Sequence, residues 1–243
     1  MEFSIALQFL TRVPVTIRKN VESINIARAM AFFPAIGLLI GVFTAALHTM
    51  LSLFLGPRVC DLVAVAFMVI VTGNMHGDGL MDTADGLFSG RPRERILEIM
   101  RDSCVGSHGV MAGVLVLLAK FVLLGQLPPE IKGLTLIVVP AMGRWAQVYC
   151  AAVYPYARTC GGTGGFSDHV GMREISWASV TVLAATVMLF RLQGGILAVA
   201  VLIGTAALGR YMAAKIGGIT GDTLGAMNEL VEVLALFVLQ FIF

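Results

Sequence analysis

Between His76 and Asp102 the chain reads HGDGLMDTADGLFSGRPRERILEIMRD, and this stretch holds six of the fifteen carboxylates: Asp78, Asp82, Asp85, Glu94, Glu98 and Asp102. Asp78, Asp82 and Asp85 are spaced i, i+4, i+7. On a helix turning about 100° per residue they fall within an arc of roughly 60°. Glu94, Glu98 and Asp102 repeat the i, i+4 spacing, which again predicts one shared face. Like charges on one face repel, and such a face calls for a cation. Clustered carboxylate oxygens suit Mg²⁺, Mn²⁺ or Ca²⁺. The plainer alternative is a solvated acidic helix end balanced by Arg91, Arg93, Arg95 and Arg101. Two acidic faces, joined by a turn with glycine and proline and abutting apolar runs, favour the metal site.

A hard cation held by carboxylates beside glycines commonly serves phosphate chemistry. Mg²⁺ keeps few protein ligands and shares its remaining positions with water and substrate oxygens. Two such ions can clamp a displacement at phosphorus, and six carboxylates are enough for two. The arginines are candidates for phosphate contacts, Arg91 and Arg101 first among them, because guanidinium grips phosphate bidentately. His76 and His108 bracket the motif and are candidate substrate contacts.

The elements that must position these groups are membrane helices. The chain is 58% hydrophobic and 13% charged, with a mean hydropathy of +0.88. Apolar runs of this length exclude an ordinary soluble domain. They do not alternate with period two, so no transmembrane barrel is indicated. The expected fold class is all-α, a polytopic integral membrane helical bundle forming a single catalytic domain over 1–243. About seven spans are predicted: 31–55, 62–74, 110–127, 134–154, 175–190, 196–214 and a last one ending at Phe243. The second is short for a bilayer, so its helix is expected to continue into the acidic motif. Residues 2–13 suit an interfacial helix ended by Pro14. Gly37 and Gly41 permit close packing of the first span. No signal-peptide pattern, internal repeat or soluble boundary is visible. Cys60, Cys104, Cys150 and Cys160 form no CxxC pair, and incidental reduced thiols are expected. A net charge of +2 gives no reason to expect a nucleic-acid partner.

Charge asymmetry predicts the orientation. With the N-terminus in the cytoplasm, twelve of the seventeen Lys and Arg residues fall on the cytoplasmic side, and three (Arg58, Lys132, Arg191) on the other. Lys120 and Arg144 lie within spans. Arg144 needs a partner at that depth, and Glu229 and Glu232 at the head of the last span are the candidates. The loops 76–108, 155–174 and 215–224 then share the cytoplasmic side. Asp222 and Glu229 join the substrate-facing candidates there. The Gly-rich stretch 161–165 is expected to be a plain loop rather than a phosphate cradle.

H76-x-D78-G-L-x-D82-T-x-D85-G, then E98-I-M-R-D102-S and G106-S-H108-G, resemble the cobalamin synthases, also called adenosylcobinamide-GDP ribazoletransferases. So do QFLTRVPV near the start, FFPAIGLLIG in the first span and GDTLGAMNE at 221–229. The resemblance spans nearly the whole chain. It implies a Mg²⁺-dependent phosphotransferase of coenzyme B12 biosynthesis in the bacterial inner (plasma) membrane, with its active site facing the cytoplasm. That family moves the phosphocobinamide unit of adenosylcobinamide-GDP onto α-ribazole or α-ribazole 5′-phosphate and releases GMP. Its partners would be those two substrates and the lipid bilayer, with a homo-oligomer left open.

A wider resemblance is to CDP-alcohol phosphotransferases, whose motif is DxxDGxxAR…GxxxDxxxD. Residues 82–91 match its first half, with serine for alanine and the arginine one place late. The second half departs further, because Glu94 stands where the glycine should be. By this analogy Asp82, Asp85, Glu98 and Asp102 would hold the metals and carry catalysis, Asp78 would be an added ligand, and Asp102 would be the general base. A phospholipid-making CDP-alcohol phosphotransferase and a cation-coupled transporter are the alternatives. The first would need that glycine, and the second tends to place its site at the bilayer midplane.

Overall fold

The computed structural model describes residues 1–17, 20–158, 166, 167 and 169–243. Arg18, Lys19, Cys160 and the Gly-rich stretch 161–165 lie outside the described residues. The helices in chain order are α1 (Glu2–Leu10), α2 (Ser23–Ala29), α3 (Phe33–Leu51), α4 (Pro57–Thr72), α5 (Met75–Leu87), α6 (Arg93–Ile99), α7 (Ser107–Gln126), α8 (Pro129–Val153), α9 (Met172–Ile216) and α10 (Gly221–Ile242). A 3₁₀ turn, Met30–Phe32, leads into α3. No strand forms among the described residues.

Five helical stretches are long and apolar enough to cross a membrane, and six if the bent pair α4 and α5 counts as one crossing. α9 is two arms in one. At Arg191 the backbone leaves the helical region (φ 54°, ψ −128°). Gly194 then stands against the Thr186 carbonyl. In a straight helix eight residues would separate the two by about 12 Å, so the chain reverses at Arg191. Counting both arms gives seven crossings. They match the seven apolar runs because roughly 20 apolar residues per crossing is a length set by the bilayer.

Packing is closest where side chains are smallest. A Cβ on Gly37 would lie 2.6 Å from the Ala141 Cα, and one on Gly41 2.5 Å from the Leu136 carbonyl. These two glycines let α3 lie directly on α8, as small residues do in membrane helix pairs. Away from the acidic motif, Asp61 is buried and ties three helices together. Lys132 Nζ donates to it at 2.8 Å, and His48 Nε2 meets its other oxygen at 2.9 Å.

Two expectations about the motif's helices are corrected. α4 does not run on into the acidic stretch. Gly73 (φ 64°) and Asn74 (φ 59°) are both left-handed, and the chain bends 88° between α4 and α5. α4 thus carries that crossing, and α5 leaves its direction to pack against α10 and α7. Nor do Glu94, Glu98 and Asp102 share one helix face. α6 stops at Ile99, and Asp102 lies in the turn beyond it, where its Oδ1 accepts the Cys104 backbone N–H at 3.0 Å.

Candidate functional site

Helix α5 presents its carboxylates to two different neighbours. Asp85 turns to α7. Its oxygens accept the backbone N–H groups of Gly106 at 2.7 Å and Gly109 at 2.8 Å. These are donors that the first turn of a helix leaves unpaired, and a carboxylate there also meets the positive end of the helix dipole. A Cβ on Gly106 would lie 2.5 Å from the Asp85 Oδ1, so glycine is what lets the carboxylate in. In this structure Asp85 fixes the start of α7.

Asp78 and Asp82 face α10 instead. Gly79 brings the helices together: a Cβ there would lie 2.7 Å from the Asp222 carbonyl. Thr220 caps α10, which sets Asp222 in its first turn beside them. Burial, then the charges of Asp78, Asp222 and Asp85, push the Asp82 carboxyl up to about 7. This is a surplus of negative charge with little to answer it.

The nearest answer is Arg158, which the sequence reading used only for orientation. It donates to Asp222 Oδ2 at 2.7 Å. Its place is fixed by backbone. Ala157 N–H donates to the Ile219 carbonyl at 2.8 Å and Ile219 N–H to the Pro155 carbonyl at 2.9 Å, a short parallel bridge. Gly218 (φ 156°) makes room for that bridge. From there Arg158 also lines a cleft of about 380 Å³ with Arg93, Arg101, Glu94 and Glu98. Arg93 is anchored by donating to the Ala157 carbonyl at 3.1 Å. The cleft thus joins an arginine-lined wall to the carboxylates of α5 through one side chain.

The other sequence candidates are placed as follows. Glu98 is exposed and pairs with Arg95 on its own helix at 2.6 Å. Asp102 is exposed on the next turn. Arg91 is exposed, and His108 is exposed with its ring 6.1 Å from that of Phe88. His76 is buried at the start of α5. Glu229 lies inside the bundle. Lys120 donates to Glu229 and Glu232 at 2.6 Å each, Arg144 pairs with Glu232, and Asn228 donates to both carboxylates at 3.1 Å. Glu232 is the partner Arg144 needed, while Glu229 goes to Lys120. A lysine inside an apolar run signals an unseen partner, but not which one. The network floors a cavity of about 220 Å³ between α4, α5, α7, α8 and α10.

Among the described residues, no three His, Cys, Asp and Glu side chains converge tightly enough to hold an ion by themselves. Asp78 and Asp82 still fit a hard divalent cation. Their donors are all carboxylate oxygens, Arg158 answers only part of the negative charge around them, and Mg²⁺ needs only one or two protein carboxylates when substrate phosphates complete its shell.

The sequence profile of the cobalamin-5-phosphate synthases matches residues 2–240. Curated relatives named adenosylcobinamide-GDP ribazoletransferase align over nearly the whole chain. One from Thermoanaerobacter pseudethanolicus is 37% identical over 234 residues, covering 96% of this chain and 94% of the relative. One from Desulforamulus reducens is 37% identical over 236 residues, covering 97% and 94%. One from Clostridium botulinum (strain Okra) is 35% identical over 242 residues, covering 99% and 98%. No solved structure matches the chain.

Proposed function

The chain belongs to the cobalamin-5-phosphate synthase family, and from that membership we propose that it transfers the phosphocobinamide unit of adenosylcobinamide-GDP to α-ribazole or α-ribazole 5′-phosphate, a late step of coenzyme B12 biosynthesis. The observation that supports this most is the junction at Arg158. On one side of it lies the arginine-lined cleft, and on the other the crowded Asp78, Asp82 and Asp222. A diphosphate ester needs both: donors for its non-bridging oxygens, and ligands for the cation that travels with it.

In the reaction the ribose 3′-hydroxyl of the ribazole attacks the phosphorus bonded to the cobinamide. A new P–O bond forms to that oxygen. The bond from the same phosphorus to the bridging oxygen breaks, and GMP leaves with it. Arg93, Arg101 and Arg158 hold the phosphate oxygens and orient the chain of phosphates. Asp78 and Asp82 would hold Mg²⁺, which when bound supplies neutralisation of phosphate charge. Asp102 takes the proton from the 3′-hydroxyl. It is the last carboxylate of the motif, and it lies in the turn that joins α6 to α7. Asp85 serves by holding the start of α7 against α5.

The protein sits in the bacterial inner membrane with the motif end in the cytoplasm. The twelve-to-three distribution of Lys and Arg supports that orientation. Purified protein in lipid, given adenosylcobinamide-GDP, α-ribazole and Mg²⁺, is expected to release GMP in equal amount to the cobalamin product. No GMP release under any divalent cation would overturn the proposal.

A further inference from the structure

A second cavity, of about 180 Å³, opens beside the acidic motif where α1, α3, α5, α8 and α10 meet. One water needs only about 10–15 Å³, so this space is large enough for a ring system. Part of its wall is aromatic. Phe9 stacks on Phe33 with centroids 5.7 Å apart and meets Phe166 edge-on at 5.8 Å. Two polar side chains also line it: His76, 2% exposed, and Gln147, 4% exposed. Among the described residues, His76 Nε2 and Gln147 Oε1 have no hydrogen-bond partner. Buried polar atoms are nearly always satisfied, and exceptions call for a reason. Two exceptions on one cavity, against an aromatic wall, describe a planar ligand with a polar edge. Asp78 and Asp222 also line the cavity, so it is continuous with the proposed phosphate site.

We propose that this cavity binds the guanine base of the nucleotide donor, with Gln147 Oε1 accepting from the guanine N1–H, His76 Nε2–H donating to O6, and the phenylalanines covering the ring face. The inference rests on the transferase reading and adds to it the residues that read the base. Guanine carries a donor and an acceptor side by side on one edge, which answers both unpaired atoms. The benzimidazole of α-ribazole is the competing occupant. It offers a ring-nitrogen acceptor and no donor, and would leave Gln147 Oε1 as it stands, buried and unpaired. Gln147 lies on α8, outside the acidic run, and His76 stands at the head of that run without being one of its carboxylates.

The test is equilibrium binding to the full chain in lipid nanodiscs, with GMP, 1-methyl-GMP and α-ribazole as separate probes. 1-Methyl-GMP lacks the N1–H, so the wild type should bind it about tenfold more weakly than GMP, the order of one lost hydrogen bond. Gln147→Met keeps the side-chain length and removes the acceptor. It should lower GMP affinity by about the same factor, leave α-ribazole affinity unchanged, and bind GMP and 1-methyl-GMP alike, because the two losses are the same bond and do not add. The wild-type comparison needs no variant and holds even if Gln147→Met folds poorly. Equal wild-type binding of GMP and 1-methyl-GMP overturns the inference. So does a Gln147→Met protein that keeps GMP and loses α-ribazole, which would give the cavity to the acceptor. A wild type that releases no GMP from adenosylcobinamide-GDP would sink the transferase reading itself. Normal turnover with an indifferent 1-methyl group would sink the base pocket alone.

Discussion

The ion-pair network inside the bundle and the acidic motif at its end both concentrate charge in a largely apolar protein, on opposite terms. In the network two cations, Lys120 and Arg144, meet two anions, Glu229 and Glu232, and Asn228 fills in between them. Every charge has its answer within the protein. At the motif Asp78, Asp82 and Asp222 crowd together with Arg158, and burial, reinforced by the neighbouring negative charges, holds a proton on Asp82 up to about pH 7. Charge balanced from within pins helices to one another. Charge left over is a demand on a ligand. The comparison separates two kinds of conspicuous carboxylate that look alike in sequence, Glu229 and Asp82.

The largest effect is expected at the motif. Asp102→Asn keeps the shape and loses the basicity, so turnover should fall roughly 10²–10⁴-fold while Mg²⁺ and nucleotide binding survive. Asp82→Asn should instead weaken Mg²⁺ binding, and raising Mg²⁺ should return part of the activity. Steady-state rates across a Mg²⁺ titration tell the two apart. Near wild-type turnover by Asp102→Asn would move the base elsewhere, with Asp78 or His76 next.

In the network the same kind of change should cost folding rather than chemistry. Lys120→Met strands Glu229 as an uncompensated buried anion and leaves Glu232 to Arg144 alone, a loss of about 3–5 kcal/mol by the usual cost of breaking a buried pair. Thermal unfolding in lipid would record it. Lys120→Met with Glu229→Gln lowers the stranded charge and should recover part of the loss. A single variant that melts like the wild type would mean the network is not what holds α7 to α10.

Asp85 stands between the two regions. It belongs to the motif by sequence and to the scaffold by contact. Asp85→Asn should cost about 1–2 kcal/mol through weaker hydrogen bonds to Gly106 and Gly109. The loss should show first as faster hydrogen exchange in the opening turn of α7, with Mg²⁺ affinity little changed.

The raised Asp82 also fixes a pH dependence. Mg²⁺ competes with its proton, so affinity should drop roughly tenfold per pH unit below about 7 and level off above it. Without the cation the sign for stability is the reverse. The folded protein keeps a proton that the unfolded chain gives up near pH 4, so this group's contribution falls as pH rises from about 4 to about 7. Calorimetry at two pH values, with proton uptake measured, checks both. The smallest effect is at Arg95→Ala, whose ion pair with Glu98 is solvent-exposed on both sides. Exposed i, i+3 pairs are worth little, and neither rate nor melting should move measurably.

The crossing segments were legible because bilayer thickness forces a length on every apolar run. The cluster Asp78, Asp82 and Asp85 was legible as one helix face, yet the structure divides it between α10 and α7. That division depends on neighbours, and spacing carries no information about them. The break falls at Gly73 and Asn74, two residue types that tolerate left-handed backbone, and the expectation of one lengthened helix took no account of them. Asp102 was assigned to the face of a helix that ends at Ile99. Glycine at 221–225 and Asp222 stood out in GDTLGAMNE, whereas Arg158 and Gln147 did not. Arg158 reaches the site through a backbone bridge between distant loops, and a single glutamine in an apolar run has no spacing partner to mark it.

The reversal at Arg191 bears on how the protein is made. Its two arms, 172–190 and 192–216, meet with no loop between them, and Gly194 already touches Thr186. Neither arm can enter the bilayer and wait for the other. The pair must leave the translocon as one hairpin, its tip leading. In the proposed orientation that tip carries Arg191 outward against the membrane potential, a cost of about 2.3 kcal/mol per 100 mV set against two full apolar arms. Insertion of these 45 residues is therefore a single event late in synthesis, after the motif at 76–102 has been made and before α10 arrives to close the site over it.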